Sequence, residues 1–161
     1  MEFLDVVDQN DNVIGKTSRE DIYKKHLRHR IVHILIFNKK GEMALQLRAK
    51  VSFCPYHWST AVGGHVQSGE TCEEAALREY EEELGVKSKI EFFSKDPYRL
   101  EGIEKILITF KTIYDGPFKI NPSAVEKIEF FDMKTVQEMI DRREKFHPEL
   151  LFLLRKHFGI K

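Results

Sequence analysis

Residues 72–84 carry six glutamates: Glu73, Glu74, Glu79, Glu81, Glu82 and Glu83. In a helix, at about 100° per residue, Glu79, Glu82 and Glu83 fall within an arc of roughly 100°, while Glu73, Glu74 and Glu81 point elsewhere. Like charges at i,i+4 destabilise an isolated helix by a few tenths of a kcal/mol each. A divalent cation reverses the sign of that cost. Clustered carboxylates are hard oxygen donors suited to Mg²⁺ or Mn²⁺, and Mg²⁺ is commonly shared between a few carboxylates and substrate phosphates. A glutamate-rich helix is also the ordinary composition of a solvated face. The preceding glycines, Gly63, Gly64 and Gly69, tip the reading toward a site, because a loop of glycines lets backbone approach a ligand closely.

The helix itself is well signalled. Thr71 with Glu74 fits a capping box, and Gly85 stands where a helix ends. Ahead of it, Phe3–Val7 and Val13–Ile14 flank the Asn/Asp-rich stretch 8–12 and read as a hairpin. Ser18 is placed to cap a short helix over 19–25. Ile31–Phe37 is β-branched and apolar, the pattern of a buried strand. A turn at 38–41 leads to a returning strand over 42–48, and 49–62 reads as irregular. Beyond the helix, 89–93, 103–114 and 127–131 read as strands. Two amphipathic helices follow, over 133–143 and 149–158, with Pro148 opening the second. Strands, helix, strands and helices in that order indicate one α/β mixed sheet with helices on its faces. Phe146, Leu150, Leu151, Leu153, Leu154 and Phe158 form an apolar surface that covers the sheet or, alternatively, a dimer contact.

The run Gly64, five residues, Glu70, seven residues, Arg78-Glu79, two residues, Glu82-Glu83, one residue, Gly85-Val86 is similar to the signature of the Nudix hydrolases. Tyr80 departs from it, an aromatic where that family usually has an aliphatic residue. The flanking pattern also resembles the family over about residues 30–132: the strand 31–37, the Leu-Gln-Leu-Arg run ending at Arg48, and Pro55 and Trp58 before Gly63. The resemblance implies a Nudix-type α/β/α sandwich spanning 1–161 as a single domain, with the hairpin 1–28 and the helices 133–158 as extensions. It implies Mg²⁺-dependent, or Mn²⁺-dependent, hydrolysis of a diphosphate linkage in a nucleoside diphosphate-X type molecule. By the same resemblance Glu79 and Glu83 are the principal metal ligands, and Glu82 is a third ligand or the base that orients water. Gly63 is a candidate for adding a backbone carbonyl to the metal. Arg78 aims a carboxylate bidentately, and Glu70 fixes the loop or reaches the metal through water. Arg48, His65, Glu70 and His29 are the candidate substrate-binding residues, and Glu126 and Glu129 the candidates for a further acidic ligand.

Within that family the hairpin, the His29–His33 stretch and the Gly64-His65 pair resemble the subgroup related to isopentenyl diphosphate isomerase. The isomerase branch needs a cysteine just before the Gly-His pair and binds a second metal with histidines at positions like His29 and His65. Gly63 stands where that cysteine belongs, and neither Cys54 nor Cys72 occupies the position. The resemblance therefore favours the hydrolase branch, with isomerase activity and a non-catalytic nucleotide-binding sensor as the alternatives. Outside the isomerase branch a strand histidine such as His33 reads as packed or hydrogen-bonded. Phe53, Tyr56 and Trp58 read either as a stacking surface for a ring or as loop packing.

Composition narrows the partners. The 161 residues carry 26 basic and 26 acidic side chains, a formal net charge of +0. That balance argues against a domain whose affinity comes from neutralising a nucleic-acid polymer, and leaves room for a small phosphorylated substrate. Two cysteines make no disulfide framework, and the first residues show no basic region followed by an apolar run. A cytoplasmic monomer or homodimer with no membrane association is the expectation.

Overall fold

A computed structural model describes residues 2–161. Its elements in chain order are β1 (Phe3–Val7), β2 (Val13–Ser18), α1 (Arg19–Lys24), β3 (His29–Phe37), β4 (Met43–Arg48), β5 (Trp58–Thr60) and β6 (Val62–His65). They continue with α2 (Cys72–Leu84), β7 (Glu91–Leu100), β8 (Ile103–Ile113), β9 (Val125–Phe131), α3 (Met133–Asp141) and α4 (Pro148–His157). β1 and β2 pair antiparallel as a separate hairpin. The other strands form a mixed sheet in which β3 lies parallel to β8 along its whole length, from His29↔Lys105 to Phe37↔Ile113.

Local sequence accounts for the helix ends. The Ser18 hydroxyl accepts from the Asp21 N–H and starts α1. The Thr71 capping box opens α2, with both reciprocal bonds formed, and Gly85 closes it in the left-handed region at φ 66°. Asp132 caps α3, and Pro148 occupies the first turn of α4 behind a His147 cap.

β3 shows how the layers form. Its even residues Val32, Ile34 and Ile36 pack on one face with Ala75, Ala76, Tyr80 and Leu84 of α2. Its odd residue Leu35 packs on the other face with Val136 and Met139 of α3 and Leu150 and Leu154 of α4. The period of two along a strand sends alternate side chains to opposite layers, and the result is an α/β/α sandwich. The apolar surface of the last helix thus covers the sheet. Tyr80 is fully buried among the α2 contacts, and its hydroxyl accepts from the Ser88 hydroxyl at 3.1 Å.

Four expectations need correction. First, β4 does not return along β3. The two pair only at Phe37↔Met43. β3 then takes β6 as its antiparallel neighbour, from Ile31↔His65 to Ile34↔Val62, while β4 pairs with β9 and β5. Second, part of the irregular stretch, Trp58–Thr60, is a buried strand. Third, Gly63 and Gly64 lie in β6, not in a loop; of the three glycines only Gly69 has a positive φ, at 86°. Fourth, β7 is Glu91–Leu100, extending well past the expected strand end at residue 93. Divergence of β3 from β4 is what positions the site. The notch between them is bridged by the short strands β5 and β6, and helices from both faces reach it.

Candidate active site

A cleft of about 650 Å³ opens at this notch. One wall comes from α2. Glu79, Glu82 and Glu83 all line the cleft, as do Gly63, Gly64, His65 and Arg48. Glu83 is buried, and its Oε1 accepts from the Gln46 side-chain amide at 2.8 Å. The same amide donates to the Ala61 carbonyl at 2.9 Å. Gln46 points to this face because it sits one residue from Leu45 and Leu47, which face the opposite layer. The Gly63 N–H is a second donor to Glu83. Both donors are neutral. Burial, and then the adjacent Glu79 carboxylate, push the Glu83 acid well above the usual carboxylate range.

Gly64 allows the other half of this pair to approach. A Cβ there would lie 2.3 Å from the Glu79 carboxyl carbon. A side chain there would displace the Glu79 carboxylate, which gives a physical reason for a glycine in a strand.

Arg78 stands behind the acidic row and does not line the cleft. Its Nε and one terminal nitrogen donate to the two Glu70 oxygens at 2.7 and 3.0 Å. Its other terminal nitrogen donates to Glu79 at 2.8 Å and Glu82 at 3.3 Å. It also donates to the His65 carbonyl at 3.1 Å. One guanidinium thus ties the strand, the loop and two helix carboxylates together. Glu70, which accepts from the Gln67 N–H as well at 2.8 Å, is a fixture of the loop and does not line the cleft.

The chemistry of this donor set fits a divalent cation. Two carboxylates are held side by side in a cleft wall, and the buried one receives only neutral donors, so a hard cation would relieve the repulsion that raises Glu83. Glu82 is the outlier. Its side chain is 55% exposed, and it leans on Arg78 rather than on the other two. Among the described residues no three His, Cys, Asp or Glu side chains converge as a ready metal-holding group. Glu126 and Glu129 lie exposed on β9 and do not reach the cleft; Asn121 and Ala124 of the preceding loop do.

The opposite wall comes from α1, β3, β8 and α4, and it is a second polar cluster. Glu149, in the first turn of α4, is buried, with its Oε1 2.8 Å from His33 Nε2 and its Oε2 2.9 Å from Lys105 Nζ. These partners hold its acid far below the usual range in spite of burial. His33 Nδ1 lies 2.7 Å from the Thr60 hydroxyl, which itself donates to the Val62 carbonyl at 2.9 Å. His33 is thus bonded at both ring nitrogens, between the strand β5 and the helix α4. His147 accepts the Glu149 N–H on Nδ1, and burial lowers its pKa to about 4.

Tyr23 joins the two walls. Its hydroxyl is 2.5 Å from His65 Nε2 and 3.3 Å from His29 Nε2. The two imidazoles stack with 5.6 Å between centroids. Burial lowers His29 to about 4 and His65 to about 2, so both are neutral. His29 is fully buried and does not line the cleft, and its Nδ1 donates to the Leu27 carbonyl at 2.9 Å. Of the expected substrate contacts, His65 and Arg48 therefore face the cleft, and His29 and Glu70 do not. Arg48 also holds the Phe53 carbonyl with two nitrogens, at 2.9 and 3.2 Å. Phe53 lines the cleft; Trp58 is core, edge-on to Phe131. Neither cysteine lines the cleft, both thiols are free, and burial raises both.

Sequence reading missed Gln46, Lys105, Glu149, Thr60 and Tyr23. Gln46 alone left a signal, a polar residue between two apolar ones in a strand.

The NUDIX domain family model matches residues 27–154, and the chain belongs to that family. It is 30% identical over 158 residues to an uncharacterized Nudix hydrolase of Yersinia pestis, covering 94% of this chain and 82% of that one. It is 33% identical over 173 residues to isopentenyl-diphosphate Delta-isomerase 1 of Photorhabdus laumondii, covering 98% of each. A crystal structure from Deinococcus radiodurans is similar with a TM-score of 0.86 at 28% identity, over 98% of this chain and 99% of that one. Among the described residues no helix is long and apolar enough to cross a membrane.

Proposed function

We propose that this chain hydrolyses a diphosphate linkage in a small nucleoside diphosphate-X type molecule, with Mg²⁺ or Mn²⁺ held by Glu79 and Glu83. The observation that carries the reading is the Glu79–Glu83 pair, side by side in a cleft, with Glu83 buried and only neutral donors on it. A bound divalent ion supplies charge neutralisation and polarisation of the phosphoryl group. The chain does the rest. Gln46 and the Gly63 N–H fix the Glu83 carboxylate, and Arg78 aims Glu79 and Glu82. Glu82, exposed at the rim, serves as a third ligand or takes the proton of the attacking water. Two free thiols suit the reducing cytoplasm.

Isomerisation of isopentenyl diphosphate is the second reading, supported by the Photorhabdus laumondii relative. Against it stand Gly63 in the place of the branch's cysteine and the burial of His29, which does not line the cleft. A ³¹P NMR turnover screen with Mg²⁺ and with Mn²⁺ separates the readings. Its panel holds ADP-ribose, NADH, coenzyme A, diadenosine polyphosphates, nucleoside triphosphates and isopentenyl diphosphate. Cleavage that disappears in Glu83→Gln supports the hydrolase. Conversion of isopentenyl diphosphate without phosphate release supports the isomerase. Tight binding without turnover of any compound supports a sensor.

A further inference from the structure

The geometry points to Lys105 as the residue that holds the second anionic group of the substrate, the phosphate away from the metal, with Glu149 as the residue that positions it. This rests on the reading of the cleft as a diphosphate site.

The walls of the cleft are electrically opposed. The α2 wall presents Glu79, Glu82 and Glu83, and the Arg78 that partners two of them stands behind the wall. The far wall presents Lys105, Arg19 and Arg48 against Glu149 and Glu2, and Glu2 is taken up by Arg19 at 3.3 Å. His33 lines the same wall between the Thr60 hydroxyl and Glu149. A substrate carrying a metal-bound phosphate at one end and a free phosphate at the other matches this polarity.

Lys105 is the fixed cation of that wall. Its side chain is only 13% exposed, yet it lines the cleft. A buried ion pair contributes little net stability compared with apolar residues of the same volume, so packing alone does not explain an ammonium here. Its position is set from two sides. Glu149 Oε2 accepts one N–H at 2.9 Å. The Tyr23 ring lies beneath the ammonium at 5.5 Å. An ammonium has three donors, so Glu149 does not exhaust them, and the side chain lines the cleft. Glu149 is in turn locked by His33 on its other oxygen. The cation is thus oriented before any ligand arrives, which is the condition for a strong charge-assisted bond to phosphate.

The test is binding of inorganic diphosphate by calorimetry, in metal-free buffer and with Mg²⁺, alongside KM and kcat for whichever substrate the turnover screen yields. Lys105→Met is expected to weaken diphosphate binding about thirtyfold, the loss of one charge-assisted hydrogen bond. Lys105→Arg should retain binding to within about fivefold. KM should rise in Lys105→Met with kcat little changed. Glu149→Gln should weaken binding about tenfold, and that effect should vanish in the Lys105→Met background, the mark of a residue acting through another. The double variant Lys105→Met/Glu149→Gln removes the ammonium and the carboxylate together, so it should lose less stability than Glu149→Gln and tests binding if that single variant does not fold. Diphosphate binding by folded Lys105→Met equal to that of the unaltered protein overturns the assignment, as does failure of the unaltered protein to bind diphosphate in either buffer. Lys105-dependent binding without hydrolysis of any compound supports the subsite while removing the hydrolase reading; hydrolysis with an unchanged KM in Lys105→Met does the reverse.

Discussion

Glu83 and Glu149 line the same cleft, both are buried, and each belongs to a helix packed on the sheet. Their electrostatics are opposite. Glu83 receives an amide and a backbone N–H and faces another carboxylate, so its acid is pushed up. Glu149 receives an ammonium and an imidazole, so its acid is pulled down. Burial opposes the charge at both positions, and the sign of the neighbours decides which carboxylate is comfortable. The comfortable one is a finished structural unit. The other is a half-built one, which the cation proposed for the α2 wall would complete.

Substitution sharpens this contrast. Glu83→Gln keeps the shape and an acceptor for Gln46 but removes the charge. Turnover should fall about a thousandfold, about 4 kcal/mol in the barrier, measured as phosphate release under saturating Mg²⁺. Glu149→Gln should instead act on the fold, because it leaves Lys105 and His33 with an uncompensated buried donor. Denaturant unfolding should show about 3 kcal/mol of lost stability.

The far wall also carries the acid sensitivity. His147 titrates at about 4 when folded, below the ordinary value of 6.5. The unfolded chain therefore binds the proton first, and stability falls as pH drops below about 6.5, the loss ending near the folded value. At pH 5 this group accounts for about 2 kcal/mol. Glu149 adds to the loss at lower pH, since its depressed acid gives stability that is full above the ordinary carboxylate value and disappears below it. His147→Asn retains a helix cap and should remove about a third of the pH dependence of stability between 6.5 and 5, because burial also lowers His29 and His65, which carry the rest. The smallest effect belongs to the α2 wall. Thr71→Ala removes the capping box and should lower stability by about 1 kcal/mol while leaving the pH profile unchanged.

The α2 wall was largely legible in the sequence and the far wall was not, for a physical reason. Helix spacing, a capping box and a terminal glycine are local signals, and Glu79, Glu83, Arg78 and Gly64 all lie within one such stretch. Lys105 and Glu149 are separated by 44 residues and meet only because β8 runs parallel to β3 and α4 packs on that face. A lysine at a strand start and a glutamate in the first turn of a helix look like ordinary surface residues. The split between β3 and β4 was hidden for the same reason. The turn at 38–41 predicts a hairpin, and β6 and β9 win the pairing through contacts distant in sequence. Gly63 and Gly64 read as loop because their role in a strand, making room for His33 and Glu79, appears only once β6 is in place.

The most direct measurement is thermal unfolding of the unaltered protein, Glu83→Gln and Glu149→Gln at neutral pH, without metal and with Mg²⁺. Opposite responses to the same chemical change are expected. Without metal, Glu83→Gln melts above the unaltered protein and Glu149→Gln well below it. Mg²⁺ raises the unaltered protein and Glu149→Gln but not Glu83→Gln. A Glu83→Gln variant that melts lower without metal, together with an unaltered protein indifferent to Mg²⁺, would contradict the assignment of the α2 wall as the cation site.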